Sequence, residues 1–269
     1  MEKVELTGVP ETMLLTLYAR AQCSTTHPQV LSDPKAIDLV SRLDYDFSAA
    51  QSDQPVLLGT GARTLLFDDL VRDFLARHPG CTVVNIACGL DTRFHRLDDG
   101  KVRWYDLDLP PVIDLRQRLI DPVDRVRMIA ASAMDPGWPG KVEVTGEVLI
   151  IVEGLTMYLT ASDLRALMGL IHDSFPGATA LVEVMTPVFQ RLGREKSVAK
   201  SGARFTYGCW GGKQFCRTVA PGFRPERDVR LSEGMVRLDP RARRITWFPL
   251  FRMIEEKILV LTTRPSADG

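Results

Sequence analysis

The sequence predicts an open, doubly wound α/β sheet with helices on both faces, and three stretches carry that prediction. Apolar strand signals alternate with helix signals from Thr82 to Val184, the pattern of a parallel sheet assembled from βαβ units. The run Val148-Leu149-Ile150-Ile151-Val152 is apolar on both faces, as a covered central strand must be, and it ends at Glu153-Gly154. A first strand, Thr82–Ile86, runs into the small-residue turn Ala87-Cys88-Gly89, and a second strand ends in the carboxylates Asp106 and Asp108. Ligands of such sheets sit beyond the carboxyl ends of the strands, so these stretches outline one binding rim.

Taken in order, residues from Pro10 to about Leu43 read as helices. Met13, Leu14, Leu17, Tyr18 and Ala21 fall at helical spacing, and Asp33-Pro34 offers an N-cap with proline at the first helical position. A further helix, from about Arg63 through Ala76, puts Leu66, Leu70, Val71, Phe74 and Leu75 on one side before His78-Pro79-Gly80 ends it. After the first strand and its turn come a helix from about Thr92, a strand over 102–107, a helix over 111–120 and a strand over 127–131. A helix from about Ser162 to Phe175, capped by Thr160 or Ser162, leads through Pro176-Gly177 to an apolar strand over 179–184. From Thr186 the pattern loosens into a charged helix, a Gly- and aromatic-rich segment from Phe205 to Gly212, another helix, and late strands near 227–231 and 257–263.

A chain of 269 residues with 45% apolar content buries one large core, so a single domain over 1–269 is expected. Lys+Arg 34 against Asp+Glu 34 leaves no net field to condense on nucleic acid or on a membrane, and the expected partner is a small molecule. Cys23, Cys81, Cys88, Cys209 and Cys216 are odd in number and scattered, which suggests neither a disulfide framework nor a zinc site. His27, His78, His95 and His172 show no ligand spacing, so no metal is expected. With no basic start before an apolar run and no apolar stretch of 18 residues, the expectation is a reduced, cytoplasmic chain.

The turn selects among nucleoside cofactors. A pyrophosphate calls for three glycines under it, and the corresponding positions are Ala87, Gly89 and Thr92, which argues against a nicotinamide dinucleotide. Asp108 lies 21 residues beyond Ala87, near the ~20-residue interval between such a turn and the acid that takes the ribose hydroxyls. Asp106 and Asp108 are two apart on one strand and share a face, so either could be that acid. An adenosine cofactor without phosphate, such as S-adenosylmethionine, asks less of this turn.

With Ala87-Cys88-Gly89-Leu90-Asp91-Thr92-Arg93, Asp108-Leu109-Pro110 and Glu153-Gly154-Leu155-Thr156-Met157-Tyr158-Leu159 in this order, the chain resembles the leucine carboxyl methyltransferase family, whose bacterial members include polyketide O-methyltransferases of the tetracenomycin type. The resemblance implies a class I S-adenosylmethionine-dependent methyltransferase: a seven-stranded sheet with an antiparallel last strand, an N-terminal helical cap over about 1–60, and a cap or substrate insertion over about 186–240. It implies that Arg63 pairs with the methionine carboxylate, with Arg20 as a second partner, and that Asp108 holds the ribose hydroxyls. Ser132 and Ala133 would line the adenine, Glu153 would face the methionine amino group, and the turn from Ala87 to Gly89 would run beneath it. The chain departs from the family pattern at Ala87, where a glycine is usual, and at Ser132, where an Asp is usual. Asp135 or a backbone carbonyl would then accept from the adenine amino group.

Asp91 and Arg93 read as internal braces of the turn. Tyr158 either packs under the following helix or positions the acceptor, and Tyr207 and Trp210 either cap the acceptor or simply pack. A carboxylate acceptor is already ionised and needs no general base. A hydroxyl acceptor needs one, from His95, His172 or Tyr158. The function expected is O-methylation of a carboxylate, or a hydroxyl, on a small polyketide-like acceptor. A protein C-terminal carboxylate is the second substrate; the rival classes are a nicotinamide-dependent oxidoreductase and a non-catalytic member. Nothing in the sequence sets the oligomeric state.

Overall fold

A computed structural model describes residues 2–3, 11–192 and 204–264. Two short strands, β1 (Glu2–Lys3) and β2 (Leu43–Asp44), pair in parallel. The main sheet holds β3 (Thr82–Ile86), β4 (Arg103–Asp108), β5 (Val126–Ala130), β6 (Val148–Val152), β7 (Thr179–Val184), β8 (Phe223–Arg230) and β9 (Lys257–Thr263). Their order is β5-β4-β3-β6-β7-β9-β8, and β9 runs antiparallel to both of its neighbours. The order reverses between β3 and β6. Ile86 pairs with Leu107 on one side and with Val152 on the other, so the carboxyl ends of β3, β4 and β6 finish level at that reversal.

Every residue of β3 and β6 is buried, and alternation assigns each side chain to one face. Val84, Ile86, Ile150 and Val152 join a core with Trp138 and Leu167 on one side; Val83, Leu149 and Ile151 join a core with Phe67 and Phe74 on the other. A third cluster forms where helices α1 (Thr12–Thr26) and α2 (Pro34–Arg42) pack near the strand ends. Asp33 caps α2 as expected, its Oδ1 accepting from Ala36 N at 3.0 Å. After a short helix α3 (Ser48–Ser52), α4 covers Gln54–Arg77 and begins nine residues before the sequence reading placed it.

Gly59, Gly61 and Pro55 hid that start, because glycine and proline lower any helical signal. The glycine at 61 serves packing: a Cβ there would overlap Cys23 Sγ on α1 and come within 2.9 Å of Leu238 Cδ1. Beyond the turn lie α5 (Arg93–Leu97), α6 (Pro110–Leu119) and α7 (Ala161–Ser174). Of the two candidate caps for α7, Thr160 takes the position, its Oγ1 accepting from Asp163 N while Asp163 Oδ2 accepts from Thr160 N.

The segment expected to be a cap over about 186–240 is in part sheet. Its strand β8 forms the sheet edge and starts four residues earlier than read, with a bulge between Pro225 and Arg227 where the proline lacks a ladder donor. The charged helix after Thr186 is seen as α8 (Pro187–Leu192), and the rest of that expectation, residues 193–203, lies outside the described residues.

Candidate active site

A cavity of about 320 Å³ opens beyond the carboxyl ends of β3, β4 and β6. Helix α1 walls it with Thr12, Met13, Thr16 and Arg20, opposite the turn residues Ala87 and Gly89. A second cavity of about 380 Å³ adjoins it, and the two share Thr12, Thr16, Arg63, Gly154 and Tyr158. The second is mostly apolar, with Leu15, Met157, Met185, Phe189, Phe205 and Phe251 on its walls, and Asp53, Glu255 and Glu256 also line it.

The turn is conformationally demanding. Ala87 has φ 55°, and no other non-glycine among the described residues has positive φ; Gly89 follows at φ 49°. A side chain at 89 would meet Met13 Cβ at 2.9 Å, so only glycine lets α1 close on the turn. The departure at 87 therefore leaves a methyl on left-handed backbone, where an L-residue costs about 1–2 kcal/mol. Ala87→Gly is expected to stabilise the fold by about 1 kcal/mol and raise Tm by about 2–4 °C, read by calorimetry; a lower Tm would mean the methyl packs favourably.

Four hydrogen bonds hold the turn in place. Cys88 N donates to Leu107 O at 3.1 Å, and Gly89 N donates to Asp108 Oδ2 at 2.7 Å. Arg116, from α6, donates to Gly89 O at 3.0 Å and to Asp91 O at 2.7 Å. Arg116 also grips Asp106 at 2.5 Å, and Asp106 accepts in addition from Asn85 Nδ2 and Trp104 Nε1. Asp106 is thus fully buried and consumed as a brace.

Of the two strand acids, Asp108 is the one that borders the cavity. Each of its oxygens accepts one amide, from Gly89 and from Leu109, at 2.7 Å, which leaves lone pairs for a ligand. Burial pushes its carboxyl above the usual aspartate value, and the two amides oppose that rise.

Beside the cavity runs a chain of ion pairs. Arg63 donates to Glu153 at 2.9 Å and to Glu183 at 2.8 Å; the other Glu153 oxygen accepts from Arg93 at 2.7 Å. Arg93 continues to Asp68 and Asp91, and Arg96 joins Asp68 to Asp33. Burial alone would weaken the Arg63 guanidinium as a base, but Glu183 and Glu153 hold its pKa above the ordinary value. Arg20 donates to Leu90 O at 2.7 Å and lies 3.4 Å from Asp33; burial lowers its pKa despite Asp91 and Asp33. Its Nε is buried without a hydrogen-bond partner.

Among the residues singled out from sequence, Arg20, Arg63, Ala87, Gly89, Asp108 and Ser132 all line the first cavity. Ala133, Glu153 and Tyr158 line it as well. Asp135 does not: it stands exposed off the cavity, its Oδ1 accepting from Gly137 N at 2.8 Å within its own turn. Tyr207 and Trp210 line neither cavity, which corrects their reading as acceptor contacts. Tyr207 packs edge-on to Phe215 on the core beneath α7, and Trp210 stands exposed near Gln214 and Arg217. Gly- and aromatic-rich sequence cannot tell a pocket wall from such packing; the aromatic walls are Phe189, Phe205 and Phe251 instead. His95 and His172 also lie off both cavities, whereas Tyr158 sits at their junction with its ring 5.7 Å from that of Phe205.

Sequence reasoning missed Asn85, Arg116 and Glu183. Glu183 carried a usable signal, since an acid inside the apolar run 179–184 needs a buried partner as much as Glu153 does. No group of three or more His, Cys, Asp or Glu among the described residues could hold a metal ion.

These residues fit S-adenosylmethionine. The cavity is of ligand size, the turn is bare at Gly89, and the half-buried Asp108 carboxylate, with spare lone pairs, borders the space. Fold and cavity together define a class I methyltransferase. Over residues 13–172 the chain matches the leucine carboxyl methyltransferase family. It is 35% identical over 242 residues to the tetracenomycin polyketide synthesis O-methyltransferase TcmP of Streptomyces glaucescens, covering 89% of each chain. It is also 35% identical over 192 residues to the S-adenosyl-L-methionine-dependent methyltransferase dpfgK of Gibberella zeae, covering 64% of this chain and 63% of that one.

Two solved structures share the fold. One is an O-methyltransferase family protein from Burkholderia thailandensis (TM-score 0.50, 16% identity, covering 96% of this chain and 73% of that one). The other is magnesium protoporphyrin IX methyltransferase from Synechocystis PCC 6803 with bound SAH (TM-score 0.50, 11% identity, covering 85% and 94%). The chain belongs to the leucine carboxyl methyltransferase family and is an S-adenosylmethionine-dependent methyltransferase. A nicotinamide-dependent oxidoreductase and a non-catalytic member are thereby set aside.

Proposed function

We propose that this enzyme methylates an oxygen of a small, ring-bearing, polyketide-like acceptor, a carboxylate first of all. The observation that carries the reading is the pair of adjoining cavities, one floored by a nucleoside-type turn and acid and the other lined mainly by aliphatic and aromatic side chains. The cation Arg63 and Tyr158 stand at the junction, and the acids Asp53, Glu255 and Glu256 lie elsewhere on the wall of the second cavity. Its similarity to TcmP supports the same reading.

S-adenosylmethionine supplies a sulfonium methyl for in-line displacement. Asp108 takes the ribose hydroxyls, Ser132 and Ala133 flank the adenine, and Arg63 with Arg20 receives the methionine carboxylate. Glu153, already bound by Arg63 and Arg93, faces the ammonium group. Leu15, Met157 and Phe205 exclude water, so an acceptor carboxylate sheds hydration as it is aligned; alignment alone supplies up to about 7–11 kcal/mol. No proton has to move.

A hydroxyl acceptor is the second reading, favoured by one observation: of the three candidate bases, Tyr158 borders both cavities. The test offers labelled cofactor to aromatic carboxylic acids, to phenols and to peptides ending in a free carboxylate. The expected result is ester formation on the small acids, nearly flat from about pH 6 to 9, with Tyr158→Phe within about threefold of the parent. Transfer only to phenols, rising with pH and falling at least about tenfold in Tyr158→Phe, would move the acceptor to a hydroxyl. Transfer only to peptides would make the acceptor a protein terminus, and transfer to no oxygen would overturn the reading. No described helix is long and apolar enough to cross a membrane, and we place the enzyme in the cytoplasm on the strength of its five free, buried thiols.

A further inference from the structure

Ile245, Trp247, Phe248, Leu250, Met253 and Ile254 all stand in solvent within ten residues, Trp247 at 76% exposure. The other exposed large apolar side chains of the described surface are scattered along the chain. From Pro240 to Ile254 the sequence carries Arg241, Arg243, Arg244 and Arg252 and no acid. Asp239, just before it, pairs with Arg241 at 3.5 Å, and Glu255 and Glu256 follow it, which leaves Arg243, Arg244 and Arg252 as the surplus cations. Whole-chain neutrality, the ground for expecting no membrane partner, conceals this local cationic field. The segment is ordered: Arg243–Thr246 is a helical turn, Phe251–Met253 is another, and Thr186 Oγ1 donates to Met253 O at 2.6 Å. Phe251 and Ile254 also line the second cavity, so the exposed apolar surface runs into it.

We propose that this segment is a docking surface for an anionic lipid bilayer, through which an apolar acceptor reaches the second cavity. Exposed aromatic and aliphatic side chains flanked by arginines suit the boundary between headgroups and acyl chains, where both classes are satisfied at once. A second copy of the chain fits poorly, because a twofold contact would set the four arginines against four more. A lipid surface fits better than an acidic protein on two counts. The apolar side chains protrude from short turns and need no matched pockets in a bilayer, and Phe251 and Ile254 of the same segment line the second cavity, so an apolar acceptor dissolved in lipid would be delivered beside it.

The test is co-sedimentation of the full chain with vesicles of phosphatidylcholine alone and of phosphatidylcholine with phosphatidylglycerol; neither cofactor nor acceptor is needed. The wild type is expected to pellet with the anionic vesicles and to be released by salt. Trp247→Ser combined with Phe248→Ser and Leu250→Ser, and separately Arg243→Glu with Arg244→Glu, are each expected to lower partitioning at least about tenfold while S-adenosylhomocysteine affinity stays within about twofold. Wild type that stays in the supernatant at low salt, or variants that pellet equally, would overturn the proposal. So would capture by polyglutamate but not by anionic vesicles, which assigns the patch to an acidic protein, or a dimer that the triple variant splits, which assigns it to a second copy.

Discussion

Asp68→Ala is expected to lower the unfolding free energy by about 3–5 kcal/mol, the cost of stripping a buried partner from a charge, and to drop Tm by roughly 10 °C. Asp68 Oδ1 accepts from Arg93 Nε at 2.8 Å and from Arg96 Nη2 at 3.0 Å, and Oδ2 accepts from Arg96 Nε at 2.8 Å. Its removal takes one carboxylate from two guanidinium groups whose side chains are 1% and 5% exposed, leaving Arg93 with Asp91 and Glu153 and Arg96 with Asp33 in a network with an excess of buried positive charge. The network predicts a pH dependence too. Burial alone would raise the Asp68 carboxyl, but Arg96 and Arg93 outweigh it; Asp91 is likewise held low by Arg93 and Arg96. An acid depressed in the folded state contributes stability above its unfolded pKa of about 3.9 and loses it as pH falls through the folded value. Denaturant melts should therefore weaken below about pH 4 in the parent and less steeply in Asp68→Ala. A neutral-pH loss under about 1 kcal/mol would show that the ion pairs do not stabilise this sheet end.

Asp108→Ala is expected to raise the Kd for S-adenosylhomocysteine at least about 30-fold, roughly 2 kcal/mol, since on the proposed reading it removes charge-assisted bonds to both ribose hydroxyls. Its elevated pKa runs opposite to that of Asp68 in its effect on the fold. The ionised form is disfavoured by burial, so Asp108 costs stability at neutral pH and that cost is relieved as the carboxyl protonates. Nucleoside affinity in the parent should fall with acid as the carboxyl protonates, above the pH expected of an ordinary aspartate, and the alanine variant should lose that dependence. Calorimetric titrations at several pH values check both. Unchanged affinity at neutral pH would remove Asp108 from the ribose.

What the residues disclosed, and what they did not, divides along physical lines. Strands covered on both faces announce themselves by composition, so β3, β6 and β7 were placed to within a residue, and the rim followed from where they end. The choice between Asp106 and Asp108 was open because both lie on one face of a strand; the structure divides them through Arg116, which arrives from the next helix and claims Asp106. Long-range partners of that kind leave no local pattern. The start of α4 was illegible for a related reason, since the glycine at 61 answers to Cys23 on another helix and not to its own. Tyr207 and Trp210 misled because aromatic content does not distinguish a pocket wall from a ring that packs on the core, as Tyr207 does, or one that stands exposed, as Trp210 does.

One feature of the cavity couples parts of the molecule that the chain keeps far apart. Met13 presses on Gly89, and Arg20 holds Leu90 O, so the first long helix is latched to the loop that carries the cofactor. By thermodynamic reciprocity, whatever affinity the ligand draws from that helix is returned as tighter latching of the helix itself. On the proposed placement of the cofactor, the loaded enzyme is expected to be the stiffer object and the empty one to open first at its amino-terminal layer.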